Sequence, residues 1–322
     1  MFNQKQDIVP FFSIIIPLYN KEKNIEKTIQ SVFAQNYTNY EIIIINDGSN
    51  DNSEKIVNTF SDERLRYFLT ENKGVSNARN FGIDKANGEI IAFLDADDYW
   101  YPNHLEILFQ LYTKFPDAGI LATSYEKKFS TNSIFLADFR NIKTDSNSFI
   151  IIDNYFDSSS IDAIAWTSAS AAPKTVLNAI KGFDSSITHG EDTDLWIRIA
   201  LRYKVALATY VTATYNLDAK NRSKEINIKN KNFMKFEKFV EEEKHNRSLK
   251  IYLDANRYSI ALEYRIAGDY LTSKKYCENI NWKNLHWKNR FLIKQPKIVL
   301  LLFKKVQSSL ISIFRLKLSS FK

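Results

Sequence analysis

The sequence predicts an α/β fold: a mostly parallel β-sheet flanked by helices, with a helical C-terminal extension. Three observations carry that expectation. Short apolar, β-branched runs alternate with helix-patterned segments from residue 12 to about 125. The runs are apolar almost throughout instead of alternating, as strands covered on both faces must be. Beyond Asn221 the pattern is helical and charged, without strand signals. Sheets of this kind bind ligands beyond the carboxyl ends of their strands.

The elements follow in order. Ser13–Pro17 is a first strand and Glu22–Gln35 a helix; Glu41–Ile45 is a second strand and Asp51–Phe60 a second helix. Leu65–Leu69 reads as strand, Val75–Ala86 as helix, Glu89–Leu94 as strand, Asn103–Lys114 as helix and Gly119–Thr123 as strand. Residues 126–165 are rich in Ser, Asn and Asp and lack clear periodicity, which suggests loops facing an acceptor. A strand-like stretch over Ala165–Ala172, a helix from Pro173 and a helix over Asp194–Tyr203 follow. At 322 residues the chain has room for one large domain and an appendage. We expect a catalytic domain over 1–220 and a helical region over 221–322.

Charge is unevenly spread. The formal net charge is +7, but residues 279–322 hold ten Lys or Arg and no Asp or Glu, leaving about −3 for the remainder. A mildly acidic body does not suit nucleic-acid binding. The segment from about 297 to 318 is apolar with interspersed cations. At 100° per residue Ile298, Leu302, Val306, Leu310 and Ile313 share one side, with Lys304, Lys305, Ser308, Ser312 and Arg315 opposite. Such a basic amphipathic helix suits an anionic membrane surface; packing against the catalytic domain is the alternative. No run reaches the roughly 20 uninterrupted apolar residues of a spanning helix. A single cysteine, Cys277, and no recognisable secretory signal suggest the cytoplasm, with peripheral attachment to the inner face of the cell membrane.

The chemistry concentrates where strands end. After Ile90–Leu94 come Asp95, Asp97 and Asp98 within four positions. Carboxylates repel, so clustering them at a strand end suits a bound cation; hard oxygen donors suit Mg²⁺ or Mn²⁺ beside phosphates. A solvated acidic turn is the alternative. Tyr19-Asn20 and Asn46-Asp47-Gly48-Ser49 fall after the first and second strands, on the same expected edge. There is no Gly-x-Gly-x-x-Gly loop after the first strand, no Walker A lysine loop and no Cys/His metal spacing.

Taken in order, Pro17-Leu18-Tyr19-Asn20, Asn46-Asp47-Gly48-Ser49-Asn50-Asp51, Gly74-Val75-Ser76-Asn77-Ala78-Arg79-Asn80, Asp95-Ala96-Asp97-Asp98 and Gly190-Glu191-Asp192-Thr193-Asp194-Leu195-Trp196 resemble the motifs of family 2 glycosyltransferases with the Rossmann-like GT-A fold. The resemblance covers residues 12 to about 205. It implies a metal-dependent, inverting enzyme that moves a sugar from a nucleotide-diphosphate donor, UDP-linked, to a saccharide or lipid-linked saccharide in bacterial surface-polysaccharide synthesis. It also implies that Pro17, Tyr19, Asp47, Arg79 and Asp95 bind the nucleotide sugar, Tyr19 against the base and Asp47 on a base N–H. Asp97 would ligate Mg²⁺ or Mn²⁺, and Asp192 would be the general base. Glu191 and Trp196 would lie on the acceptor side. Each has a plainer alternative: a strand-end packing residue for Tyr19, an Asp-Gly turn for Asp47, a salt-bridged arginine for Arg79, a helix-start acid for Glu191 or Asp192, and a core residue for Trp196. Many relatives carry Asp where this chain has Asn46, which keeps the acceptor oxygen and loses the charge. Two other functions compete: a sugar-nucleotide pyrophosphorylase or other nucleotidyltransferase, which would be expected to show a Gly-rich loop where Tyr19-Asn20-Lys21-Glu22 stands, and a GT-A module that binds without turnover.

Overall fold

The computed structural model describes residues 11–130, 133–144, 146–219 and 227–314, with side chains to Val306. The chain opens with β1 (Phe12–Leu18), α1 (Ile25–Phe33), β2 (Tyr40–Asp47), α2 (Ser53–Val57), β3 (Leu65–Thr70), α3 (Val75–Lys85) and β4 (Ile90–Phe93). It continues through β5 (Tyr99–Trp100), α4 (His104–Lys114), β6 (Ala118–Ser130), β7 (Ser133–Leu136), β8 (Phe149–Ile151), α5 (Tyr155–Ser158), β9 (Ser170–Pro173), α6 (Lys174–Ala179), α7 (Glu191–Ala200) and β10 (Lys204–Asn216). Helices α8 (Val240–His245), α9 (Arg247–Ala267), α10 (Tyr270–Glu278), α11 (Trp287–Leu292) and α12 (Lys297–Phe314) follow.

One sheet runs in the order β3-β2-β1-β4-β9-β6-β10-β5, with β7 on β6 and β8 on β10. The long ladders are parallel: β1 with β2 and β4, β2 with β3, and β6 with β10. Short antiparallel pairings join them, the central one being β9 between β4 and β6. The α/β architecture with C-terminal helices is therefore as expected, with mixed strand direction. Ile42–Ile45 of β2 are fully buried, each side chain contributing about 1.5–3 kcal/mol, which is why an unbroken isoleucine run reads as a covered strand. Pro17 costs β1 no ladder bond: it lacks an N–H on the side facing β4, and that pairing stops at Ile15.

Three segments differ from the expectation. Residues 126–165 contain β7, β8 and α5 and the second half of β6, so they are not simply loops. The thirteen-residue β10, between the expected helix and residue 221, is a full strand. Helix α7 starts at Glu191, three residues before the expected Asp194, so Glu191 and Asp192 lie in its first turn.

A main apolar core spans the sheet, and α9 joins it through Leu249, Leu253 and Ile260. The same helix gives Tyr258, Ala261 and Leu262 to a second cluster with Ile280, Leu285, Leu292, Ile293 and Leu300. Leu300 is the anchor of α12; Ile298, Leu301, Leu302, Phe303 and Val306 are exposed. The start of the basic helix thus presents an uncovered apolar surface. Leu310, Ile313 and Arg315 lie outside the described side chains.

Candidate active site

The site begins with the turn after β4. The Asp98 N–H donates to the Asp95 carbonyl (3.0 Å), closing a tight turn. Asp98 points inward and is 1% exposed; Ser168 Oγ donates to its Oδ2 (2.6 Å) and the Asn216 N–H to its Oδ1 (2.9 Å). Burial, and the neighbouring Asp97 and Asp95 charges, raise its pKa well above the usual carboxylate range. Asp98 is thus a fastener between β10 and the 3₁₀ turn Thr167–Ala169. The Asp95 N–H donates to the same Ser168 Oγ at 3.0 Å. Asp97 takes the Lys21 ammonium, from the loop after β1, at 2.8 Å.

Arg79 ties this turn to the second acidic cluster. Gly82, one turn further along α3, makes that possible: a Cβ there would stand 2.6 Å from Ile15 Cγ2 and 2.9 Å from Ile45 Cδ1. Lacking one, α3 lies close against β1 and β2. Arg79, 3% exposed, reaches Asp95 Oδ1 (2.7 Å) with one terminal nitrogen and Glu191 Oε1 (3.0 Å) with the other. Two carboxylates flanking it raise its proton affinity despite burial. Residues 95 and 191 are thereby brought onto one guanidinium.

In the first turn of α7 the free N–H groups and the helix dipole favour the acids Glu191, Asp192 and Asp194. Burial and the adjacent Asp192 charge nevertheless push Glu191 up to about 7, against the pull of Arg79. Asp192 Oδ1 accepts from the Thr193 N–H (2.6 Å) and hydroxyl (3.3 Å), and its Oδ2 takes no hydrogen bond among the described residues. The Asp192 charge also reaches the phenols of Tyr155 and Tyr252.

The ends of β1 and β2 form a polar shelf. Asn46 is fully buried, donating to the Tyr67 hydroxyl (2.7 Å) and accepting from the Ser49 N–H (2.8 Å). A neutral amide can do both; a carboxylate could only accept. Asp47 accepts from the Lys73 (2.9 Å) and Gly74 (2.8 Å) amides, holding the loop that leads into α3. Each of its oxygens keeps a second lone pair. Tyr19 is 45% exposed, its ring open to a ligand. Asn20 has φ of +52°, and its N–H donates to Ser49 Oγ (3.0 Å).

The structure thus joins Asp95 to Glu191 through Arg79, with Asp97 two residues beyond the first and Asp192 next to the second, and Pro17, Tyr19 and Asp47 at the ends of β1 and β2. Trp196 is corrected: it is 1% exposed and packs edge-on to Phe93 with ring centroids 6.2 Å apart, so it offers no face to an acceptor. Trp196 lies about one turn beyond Asp192, where α7 is buried at every position from Asp194 to Ile197, so the helical period alone does not separate it from the acids. Sequence reasoning missed Lys21, Ser168 and Asn216. Their partners lie 76, 70 and 118 residues away, and sheet order alone brings them together.

Among the described residues, no three His, Cys, Asp or Glu side chains converge into a ready cage for a metal ion. Mg²⁺ at phosphate sites takes one or two carboxylates and fills its shell from substrate and water. Asp97 is a donor of that kind, so the residues fit a hard divalent cation in company with a diphosphate.

Comparison with known proteins bears on the family and the fold. The family model described as Glycosyl transferase family 2 matches residues 13–167. An uncharacterized glycosyltransferase of Rickettsia typhi is 30% identical over 195 residues, 59% of this chain and 58% of its own length. The Escherichia coli protein described as UDP-Glc:alpha-D-GlcNAc-diphosphoundecaprenol beta-1,3-glucosyltransferase WfgD is 43% identical over 103 residues, 32% of this chain and 41% of that one. The chain thus spans less than two thirds of the length of either relative. Among solved structures, Staphylococcus aureus TarS 1–349 superposes with a TM-score of 0.55 at 17% identity, covering 83% of this chain and 90% of the other; the same fragment is also solved in complex with UDP-GlcNAc. At that identity the likeness to TarS is one of fold.

Proposed function

We propose that this chain, whose residues 13–167 match the glycosyl transferase family 2 model, carries out an inverting transfer of a sugar from a UDP-linked donor to a hydroxyl of a saccharide or lipid-linked saccharide, in assembly of a cell-surface polysaccharide. The observation that carries this reading is Arg79, whose two terminal nitrogens join Asp95 to Glu191 and so set the donor-side and acceptor-side acids around one cation.

The chemistry follows from that arrangement. Asp192 accepts the acceptor's hydroxyl proton while that oxygen bonds the anomeric carbon. The bond from that carbon to the diphosphate oxygen breaks on the opposite face, so the configuration inverts and UDP departs with the electron pair. Asp97 and the donor's diphosphate would hold Mg²⁺ or Mn²⁺, which supplies Lewis-acid neutralisation of the departing charge. Arg79 and Lys21 add fixed positive charge near that path. Tyr19 stacks on or flanks the base, Asp47 meets a base N–H, and Asp95 faces the ribose. The names of WfgD and of the TarS complex, one a UDP-Glc transferase and the other bound to UDP-GlcNAc, support a UDP donor.

The basic tail belongs to the same reading: the enzyme works at the inner, anionic face of the cell membrane. Trp287, Phe291, Ile298 and Leu302 are all more than half exposed within a region free of acids after Glu278. No helix among the described residues is long and apolar enough to cross a membrane. Co-sedimentation with phosphatidylglycerol vesicles but not with phosphatidylcholine vesicles is expected; equal recovery with both would remove this part.

The enzymatic test is UDP release from a panel of UDP-sugars with Mn²⁺ and candidate acceptors. Asp192→Asn is expected to slow turnover by about 10²–10⁴-fold while leaving UDP binding intact, and Asp97→Ala to abolish the cation requirement together with turnover. Undiminished release by both variants would refute the site.

A further inference from the structure

We propose that Lys238, in the segment leading into α8, is a positioning residue for the general base: its ammonium closes the loop that carries Glu191 and Asp192, so that the helical C-terminal region sets where Asp192 stands. This rests on Asp192 being the base in the proposed transfer.

One charge holds the loop at both ends. Lys238 Nζ lies 2.5 Å from Asp184 Oδ2 and 2.9 Å from Asp194 Oδ1, and those two acids stand on either side of Glu191 and Asp192 in the chain. Asp194 is fully buried in the first turn of α7, and its other oxygen takes Arg198 Nε at 2.8 Å, one turn further along the same helix. A buried carboxylate needs such a partner, and Arg198 already meets that need from within α7. The contact with Lys238 does something else. It fastens the start of α7 to Asp184, whose carboxyl the same ammonium holds well below the usual range. Between the two acids Gly190 has φ of +77°, a left-handed bend that turns the chain into α7.

Lys238 is itself rooted in the C-terminal region. It lies in the 3₁₀ turn Phe236–Phe239, whose two phenylalanines are buried in the main core, and the Arg257 guanidinium of α9 lies over the Phe236 ring at 4.8 Å. Earlier in the same segment a second tie reaches the loop: the Asn232 carbonyl accepts from the Thr188 (2.8 Å) and His189 (3.2 Å) amides, and its N–H donates to Thr188 Oγ1 (2.9 Å). From the other side α3 holds the loop through Ser76 Oγ, which donates to the Ile187 carbonyl (3.1 Å). The base is thus suspended between the stretch that matches the family and a segment well beyond it. A group displaced by about 1 Å can cost about 10²-fold in rate, so releasing one of these holds should reach the chemistry.

The test is UDP release by the full chain from UDP-glucose, UDP-galactose and UDP-N-acetylglucosamine with Mn²⁺ and water as acceptor. UDP binding by calorimetry runs beside it, its stoichiometry counting the folded molecules. Lys238→Met is expected to lower kcat about 10–100-fold, with the donor KM and the UDP dissociation constant within about twofold of the wild type. Lys238→Arg, whose fork can still span two carboxylates, should recover most of the loss. Lys231→Met is the control: that ammonium lies in the same segment but pairs with Glu263 on α9 at 3.2 Å, and its loss should leave kcat per folded molecule unchanged. Wild-type kcat in Lys238→Met would overturn the positioning role and leave the enzymatic reading standing. An equal fall in Lys231→Met, or a fall in Lys238→Met that only tracks the folded fraction, would overturn it too, by making Lys238 a tie of the fold alone. No UDP release by the wild type from any of the three donors would remove the proposed transfer and this role with it.

Discussion

The carboxylates after β4 and those that open α7 share one guanidinium but keep different company. In the first group each acid has its own partner: Arg79 for Asp95, Lys21 for Asp97, and Ser168 with Asn216 for Asp98. Of the acids that open α7, Asp194 pairs with Arg198 and Lys238, whereas Glu191 and Asp192 have between them, among the described residues, only a share of Arg79, and burial forces Glu191 towards the protonated state. The first arrangement suits holding charge in place. Glu191 and Asp192, short of cations, suit taking up a proton. Chemistry of both kinds is needed when one group departs as an anion and another arrives as an alcohol.

Removing the shared cation should break the comparison most severely. Arg79→Met leaves two acids facing each other across a buried gap and is expected to cost about 3 kcal/mol in urea unfolding. That is the low end for a broken buried pair, because Asp95 remains 32% exposed. Donor turnover should fall with it. A variant as stable as the wild type would mean that the two clusters are held together by packing alone.

The proton-handling half can be sharpened by pH. Glu191 is pushed from its ordinary 4.5 up to about 7, so between those values the folded state binds more protons than the unfolded one. Its stability must fall as pH rises through that window. Glu191→Gln removes this slope and should gain on the wild type by about 1–3 kcal/mol between pH 4.5 and 7. Parallel stability curves for the two proteins would place Glu191 with the charge-holding group instead.

The smallest effect concerns the fastener. Ser168→Ala removes one hydrogen bond to Asp98 and one from the Asp95 N–H, and should cost about 1–2 kcal/mol with turnover lowered only modestly. A large loss of turnover at unchanged stability would show that the turn after β4 must be positioned more finely than its packing suggests.

Much of this was legible beforehand, for physical reasons. Runs such as Ile42–Ile45 announce covered strands, and Asp95, Asp97 and Asp98 had to sit at a strand end because Ile90–Leu94 leaves no other place for them. The reading stopped where neighbours are set by sheet order. Nothing near Asp98 in sequence points to Asn216, and β10 carries enough Ala, Thr and Tyr to be passed over. Trp196 erred differently: closeness to Asp192 in sequence suggested closeness to substrate, while α7 is buried all round from Asp194 to Ile197 and the indole lies in the core.

The stretch that matches the family ends at residue 167, yet Arg79 leans on residue 191 and Asp98 on residue 216. A recombinant fragment trimmed to the recognisable motif would carry a guanidinium with half its counter-charge and a carboxyl with a missing amide. For the same reason, grafting the nucleotide half of one relative onto the later half of another should succeed only when the residue inherited at position 191 can still answer the arginine at 79.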